Sequence, residues 1–327
     1  MEPWLIALIV ILCIIILLLL FKLYTALRVK WNHSPVCLIG KTAIVTGSNI
    51  GIGYYTAENF AKRGARVILA CRNPVKAENA KTKMIEATGN KNIVVKILDL
   101  SSLKSVREFA KDVVATEDRL DILVNNAGSA FFTQPFTEDG LNSSMQANHF
   151  GPFLLTILLI DLLKKSAPSR IVTVSSTLAA LGKINVNDLN SSSRYFTDTL
   201  DYCKVKLCNM LFTIELAQKL NGTGVTANAV HPGFVRTDIL KDTSTVFAKL
   251  TAVVMKLFYI NTEAGCQTST YVAVAKELTG VSGKFFKDCA ESEFPRRAQN
   301  KVLAKTLWDK SDESVKLTIE ERKCLLN

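Results

Sequence analysis

Six apolar runs of strand length recur along the chain, at residues 42–46, 66–70, 93–98, 121–124, 170–174 and 225–230. Segments of helical length separate them, among them 54–63, 102–115, 141–164 and 202–220. The runs are apolar almost throughout rather than alternating, so both faces of each strand must be covered. Strands joined by helices and buried on both sides make a parallel sheet between helical layers. The expected fold is therefore α/β: a single doubly wound parallel-sheet domain. A hydrophobic share of 48% supplies its core, and 21% charged residues with few prolines exclude a disordered or collagen-like chain. No linker rich in Pro, Gly or Ser divides the region, and no internal repeat is present.

Residues 3–21 carry no charge and almost no polarity. As a helix such a run reaches roughly 28 Å, close to the ~30 Å hydrocarbon core of a bilayer. A cleavable signal would want a basic start, a shorter apolar run and small residues at a cleavage step. Here Glu2 stands in front and no A-x-A step follows, so an N-terminal transmembrane helix is expected, with a signal peptide as the alternative. Lys22, Arg28 and Lys30 lie after it, which places the C-terminal side in the cytosol. The expected organisation is an anchor over 1–22, a juxtamembrane linker over 23–40, the folded domain over 41–310 and a tail over 311–327. The chain is then a single-pass membrane protein. The endoplasmic reticulum is the expected membrane, although the anchor does not separate it from mitochondrial or lipid-droplet membranes.

Forty basic residues against 29 acidic give a net charge of +11, which suits nucleic acid, an anionic membrane surface or an anionic cofactor. No aromatic-basic motif accompanies the charge, so no nucleic-acid partner is expected. The eight cysteines are scattered without a C-x-x-C, and with three histidines no metal site is expected. Reduced cytosolic thiols are the simplest reading. Sequons beginning at Asn32, Asn142, Asn190 and Asn221 would be glycosylated only in a lumenal domain, so they test the topology.

The first strand runs into Thr46-Gly47-Ser48-Asn49-Ile50-Gly51-Ile52-Gly53 and then a helix. Glycines there let the chain turn tightly and bring backbone N–H groups against a pyrophosphate at a helix N-terminus, as in a Rossmann domain. The second strand ends in Cys71-Arg72, where an NAD site usually places an acid for the ribose 2′-hydroxyl. A guanidinium pairs instead with a 2′-phosphate, so the expected cofactor is NADP(H). Asp99 ends the third strand, where it would lie beside the adenine ring, with Leu100 following.

Asn125-Asn126-Ala127-Gly128 closes the fourth strand, Asn148 lies in a later helix, and Ser175-Ser176 end the fifth strand. Tyr202 and Lys206 are i and i+4 and so share one helix face. A phenol with a pKa of ~10 is a poor base at neutral pH, and a nearby ammonium favours the phenolate. One Y-x-x-x-K means little; with the glycine turn, the NNAG, Asn148 and a strand-end serine, chance is a poor explanation.

In this order the motifs resemble the short-chain dehydrogenases/reductases over residues 38–308. The resemblance implies Ser176, Tyr202 and Lys206 as a catalytic triad, with Asn148 as fourth member. It implies that Tyr202 moves the hydroxyl proton and that Ser176 holds the substrate oxygen. Lys206 would bind the nicotinamide ribose and lower the Tyr202 pKa, while Asn148 positions a water relay to Lys206. Gly47 to Gly53, Arg72, Asp99, Leu100, Asn126, Ala127 and Gly128 would contact the cofactor. His231-Pro232-Gly233 through Thr237, with Val235 between, matches the segment that holds the nicotinamide. Within the family the chain is most similar to membrane-anchored, NADPH-preferring retinol dehydrogenases, through TGSNIGIG, LACRN, ANHFGPFLLT, DYCKVKLCN, AVHPGFVRTDI, EAGCQTSTYVAVA and SGKFFKDC. One departure is a slightly longer stretch at 194–201, beside the substrate site.

The resemblance implies an oxidoreductase that transfers a hydride between NADPH and a lipophilic carbonyl, retinal to retinol or the reverse. The rivals are a reductase of steroid or other lipid carbonyls and a non-catalytic NADP(H)-binding membrane scaffold. A homodimer is admitted by the same resemblance. An apolar periodicity at 246–259 reads equally as an oily lid over the substrate and as a core-facing helix. The basic residues Arg296, Arg297, Lys301 and Lys305 read as a solvated helix face rather than a headgroup site. His149 is expected to pack beside the site without chemistry.

Overall fold

The computed structural model describes residues 2–129, 132, 134–191, 197–235 and 260–325. Its strands are β1 (Thr42–Thr46), β2 (Arg66–Cys71), β3 (Ile93–Ile97), β4 (Ile122–Asn125), β5 (Ser169–Val174), β6 (Val225–His231), β7 (Phe285–Lys287) and β8 (Ala290–Ser292). They form one sheet in the order β3-β2-β1-β4-β5-β6-β7-β8. All neighbours are parallel except β8, which returns antiparallel to β7. The six strands expected from sequence are present to within a residue or so. The edge pair β7–β8 is additional, because three-residue strands leave no apolar run to read.

The apolar strands are buried on two sides because successive side chains point to opposite faces. Ile44, Ile68, Leu123 and Ile171 face a layer made by α4 (Leu103–Thr116), α6 (Gly151–Lys165) and α7 (Thr197–Lys219). Val45, Val67, Leu69, Val124 and Val172 face the layer of α2 (Gly51–Lys62), α3 (Pro74–Thr88) and α9 (Gln267–Val274), which the short α8 (Thr262–Gly265) precedes. α3 starts at an Asn73 cap, whose side chain accepts from Lys76 N–H, with Pro74 at its first position; it stops at Gly89, where φ is 71°.

Two stretches are long and apolar enough to cross a membrane. Ser143–Lys165 is 83% buried and is a core element, comprising α5 (Ser143–Met145), a π turn (Gln146–Phe150) and α6. Pro3–Tyr24, within α1 (Pro3–Arg28), has mean hydropathy 3.6 and none of its span covered by the protein. The chain between α1 and β1 is tied to the domain, since Arg63 Nη1 donates to the carbonyls of Ser34 (2.5 Å) and Val36 (2.9 Å). At the other end α10 (Lys301–Val315) runs across residue 310. Beyond it α11 (Ile319–Arg322) is held by an Arg107–Glu321 ion pair of 2.7 Å, with Leu317 and Cys324 buried.

The strand order reverses between β1 and β4, which opens a crevice at the carboxyl ends of the strands. The opposite edge is closed by charge. Asp121 is buried and accepts from Lys41 Nζ (2.9 Å), Thr42 N–H (2.9 Å) and Arg119 Nε and Nη2. Burial opposes its ionisation, but hydrogen bonds from Arg119, Thr42 and Lys41 outweigh it and hold the carboxyl below its ordinary value. Asp121 therefore stabilises the fold above its unfolded pKa of ~3.9, and this is lost as pH falls toward the folded value. Asp121→Ala should cost about 3 kcal/mol by leaving Thr42 N–H and two cations unpaired. Thermal melts at pH 7 should show a drop on the order of 5 °C, with the gap from wild type closing as the pH is lowered through 4.

Candidate active site

At the crevice, β1 and β4 are stitched by Thr46 and Asn126. Thr46 Oγ1 accepts from Asn126 N–H (3.0 Å) and Ala127 N–H (2.9 Å), and Asn126 Nδ2 donates to the Thr46 carbonyl at 2.8 Å. This holds the glycine turn against the NNAG segment. A Cβ on Gly53 would lie 2.4 Å from Asn126 Nδ2 and 2.5 Å from the Gly47 carbonyl oxygen. Gly47 adopts φ 65°, and its Cβ would meet Ala127 at 3.0 Å. Gly51, at φ 66°, faces open space at the start of α2. The Ile50 cap supplies no side-chain bond to α2, so its first N–H groups are available to an anion. Ser48 is buried with Oγ 3.4 Å from Cys71 Sγ, and Asn49 and Ile52 complete the turn.

Arg72 is exposed just beyond β2, with no hydrogen bond or ion pair to the described residues. Cys71 fills the strand end as a buried neutral thiol, its pKa raised by burial although Ser48 and Asn49 hydrogen bonds oppose this. Asp99 uses one carboxylate oxygen in its own turn, accepting from Ser101 N–H at 2.8 Å. Leu100 is buried, its carbonyl 2.4 Å from where a Gly151 Cβ would stand.

Across the crevice, Asn148, Ser176, Tyr202 and Lys206 are brought together around Gly128 and the end of β5. A Gly128 Cβ would lie 3.2 Å from Asn148 Oδ1 and 3.6 Å from Lys206 Nζ. Lys206 is fully enclosed, donates from Nζ to the Val174 carbonyl at 2.9 Å and lies 5.5 Å from the Tyr202 ring centroid. Ser176 caps a short helical turn (Thr177–Leu181) by accepting from Leu178 N–H at 3.2 Å. Asn148 sits in the π turn, where its amide is spent on the protein. Its Oδ1 accepts from Ser129 N–H (2.8 Å), and its Nδ2 donates to the Ser129 (2.9 Å) and Ser144 (2.8 Å) carbonyls.

The electrostatics of the pair differ from the expectation that Lys206 draws the Tyr202 pKa down. Burial pushes the Tyr202 phenol up to about 12, with Cys203 adding to this and a hydrogen bond to Ser176 opposing it. Burial also lowers Lys206 to about 8. Both shifts have one cause, since a dry site favours each neutral form. His231, at the end of β6, is lowered to about 4 by burial, with Lys287 and Lys206 contributing, and so is neutral.

Pro232 follows directly, and Gly233 turns at φ 90° against Ile260. Val235 is buried, bridges Ile260 and packs on Gly265. Thr237, the 246–259 segment and residues 194–196 of the longer stretch lie outside the described residues. His149 packs away from the chemistry among Phe150, Phe153 and Phe212, with Nε2 2.9 Å from Ser311 Oγ. Arg296, Arg297, Lys301 and Lys305 are all exposed, as a solvated face requires, and Arg297 Nη1 also donates to the carbonyls of Ala180 (3.2 Å) and Gly182 (3.0 Å), bracing the turn after Ser176.

Sequence reading named Thr46 and Ser175 without giving either a role in the site, and passed over Ser129. Ser175 Oγ donates to the Lys206 carbonyl at 2.7 Å and so ties β5 to α7. Only its adjacency to Ser176 could have flagged it. Among the described residues, no group of three or more His, Cys, Asp or Glu could hold a metal.

A dinucleotide crevice facing a buried Ser-Tyr-Lys-Asn set defines an oxidoreductase fold and site. The short chain dehydrogenase family model matches residues 41–246, and the chain belongs to that family. Human retinol dehydrogenase 12 is 44% identical over 284 residues, covering 86% of this chain and 88% of its own. A solved, uncharacterized protein from Mycobacterium paratuberculosis is 32% identical with a TM-score of 0.70, covering 88% of this chain and 98% of its own. The Pseudomonas aeruginosa RhlG/NADP active-site complex has the same fold, with a TM-score of 0.62 at 24% identity over 78% of this chain and 97% of its own. The chain is thus a short-chain oxidoreductase related to retinol dehydrogenases, built to bind NAD(P).

The glycine cradle yields a direct test. Gly53→Ala should weaken nicotinamide-nucleotide binding at least tenfold, because the added methyl displaces Asn126 or the Gly47 carbonyl from the crevice. Titration calorimetry with NADPH should show this while circular dichroism stays native.

Proposed function

We propose that this chain is a membrane-anchored, NADP(H)-dependent reductase of lipophilic carbonyls, with retinal as the substrate and retinol as the product. The observation that carries the reading is the largely buried Tyr202 phenol hydrogen-bonded to Ser176, with exposed apolar side chains on the segments that adjoin the site. Leu181, Leu200 and Phe234, each at least half exposed, follow β5, precede Tyr202 and follow β6 respectively. Apolar surface of that kind suits a long apolar substrate whose single polar atom enters last. The name of the 44% identical human relative supports a retinoid.

Direction is supported by protonation. A phenol raised to about 12 holds its proton at neutral pH, which suits an acid that delivers a proton to a nascent alkoxide. The substrate oxygen would accept hydrogen bonds from Ser176 and Tyr202, both stronger as negative charge develops on it. When bound, the reduced nicotinamide supplies the hydride. Lys206, part-protonated near pH 8, would hold the nicotinamide ribose and return a proton toward Tyr202. Asn148 acts by fixing the Ser129 loop beside Lys206, since both Nδ2 hydrogens are already donated.

Arg72 supports the cofactor choice: an exposed guanidinium follows β2, where Cys71 offers no carboxylate to a ribose 2′-hydroxyl. The glycine cradle, Asp99, Leu100, Asn126 to Gly128 and the 232–237 segment would hold the rest of the molecule. The anchor would be α1, in the endoplasmic reticulum membrane with the domain beginning near residue 41 on the cytosolic side. A homodimer belongs to the same reading.

Tyr202→Phe should lower retinal reduction by roughly 10²- to 10⁴-fold, the usual worth of a positioned acid, while NADPH binding is retained. Unchanged turnover in microsomes carrying that variant would remove Tyr202 from its role. Arg72→Ala should raise the KM for NADPH about tenfold or more and leave that for NADH nearly unchanged, as expected for loss of one charge-assisted phosphate contact. Equal effects on both cofactors would move the selectivity elsewhere.

A further inference from the structure

We propose that the active-site edge of the sheet lies flat on the bilayer that holds α1, so that the crevice opens onto lipid rather than water. This rests on the anchored-reductase reading above and adds to it an orientation of the domain. The first observation is where the chain leaves the domain. Lys287 ends β7 in register with His231, so the β7–β8 turn lies at the active-site edge. Cys289 in that turn places its Sγ 3.5 Å from the Lys30 carbonyl, and Cys289 N–H donates to Thr268 Oγ1 at 3.2 Å.

From Lys30 the chain descends the α2–α9 face in a fixed course. Asn32 N–H donates to Gln267 Oε1 at 3.0 Å, Arg63 grips the Ser34 and Val36 carbonyls, and Leu38 N–H donates to the Arg63 carbonyl at 2.8 Å. Residues 30–38 thus form a strap that enters at the active-site edge and ends at the opposite edge, where β1 begins. The membrane-proximal end of the domain is therefore the end that carries the site.

The second observation is the distribution of exposed aromatic side chains. Outside α1, the large aromatic residues exposed among the described ones are Trp31, Phe136 and Phe234. All three belong to that edge: Trp31 lies between the two upper strap contacts, Phe136 follows β4 and Phe234 follows β6. Ile50, Leu181 and Leu200 add aliphatic surface beside them. Exposed aliphatic groups also occur elsewhere, Ile39, Val302 and Ile319 among them, but the exposed aromatic ones are gathered on one side, next to a membrane helix flanked by Lys22, Arg28 and Lys30, and match the interfacial zone of a bilayer. The opposite edge carries the Lys41–Asp121–Arg119 and Arg66–Glu117 ion pairs and suits water.

The test uses the full chain in liposomes of phosphatidylcholine and phosphatidylserine, with and without brominated acyl chains. Trp4, in the Trp31→Phe background, reports insertion of the anchor. Phe136→Trp and Leu181→Trp, each with Trp4→Phe and Trp31→Phe, report the active-site edge, and Asp118→Trp in that background reports the far edge. Trp308 is buried and contributes a constant signal. The expected result is bromine quenching of Trp4 and of both rim reporters, with Asp118→Trp spared. Quenching of Trp4 with the rim reporters no more quenched than Asp118→Trp overturns the orientation and leaves the anchor standing. An unquenched Trp4 overturns the anchor reading and the orientation with it.

Discussion

The gap between β1 and β4 is the constraint on which the site depends. A doubly wound sheet must change winding direction somewhere, and at that point two adjacent strands lose the helix that would cover their ends. Here Thr46 and Asn126 close the gap with main-chain and side-chain hydrogen bonds that leave no space for a Cβ at Gly53. The same stitch orients both halves of the crevice. On one side Gly47 to Gly53 present backbone N–H groups; on the other Gly128 brings Asn148 and Lys206 within reach of one another. Sheet topology, cofactor cradle and candidate acid–base pair are consequences of one junction.

Burial then sets the chemistry. Tyr202 and Lys206 are removed from water, and each moves toward its neutral form, the phenol to about 12 and the amine to about 8. At neutral pH the phenol is then neutral while an amine near 8 is still largely protonated, so a proton donor and a fixed cation stand preorganised where charge develops on a substrate. The supports are local: Ser175 ties β5 to Lys206, Arg297 braces the turn after Ser176, and the π turn lets Asn148 hold Ser129 at two points and the Ser144 carbonyl at a third.

How much of this could be read from sequence follows from where the information sits. Strands buried on both faces announce themselves as apolar runs, so β1 to β6 and the winding were legible. The glycine turn and the Tyr202–Lys206 spacing were legible because local backbone geometry demands them. Contacts between residues distant in sequence were not. Nothing near Arg297 points to the Gly182 carbonyl, and nothing at Lys30 points to Cys289. The segment after Lys310 looks polar enough for a tail, yet Arg107 and a buried Cys324 hold it against α4 and α6. The Tyr202 pKa went the other way from the sequence expectation because i, i+4 spacing fixes proximity to Lys206 but says nothing of burial, which raises the phenol and lowers the amine.

The central claim is hydride transfer from NADPH to a retinoid carbonyl at the Ser176–Tyr202 pair. The most direct measurement is mass spectrometry of retinol formed when membranes bearing the chain receive all-trans-retinal and NADPH deuterated at the transferable position of the nicotinamide. The account predicts retinol carrying one deuterium at the former carbonyl carbon, with far less label from deuterated NADH. Retinal recovered unreduced, while the same membranes bind NADPH and reduce a different lipid carbonyl, would contradict it.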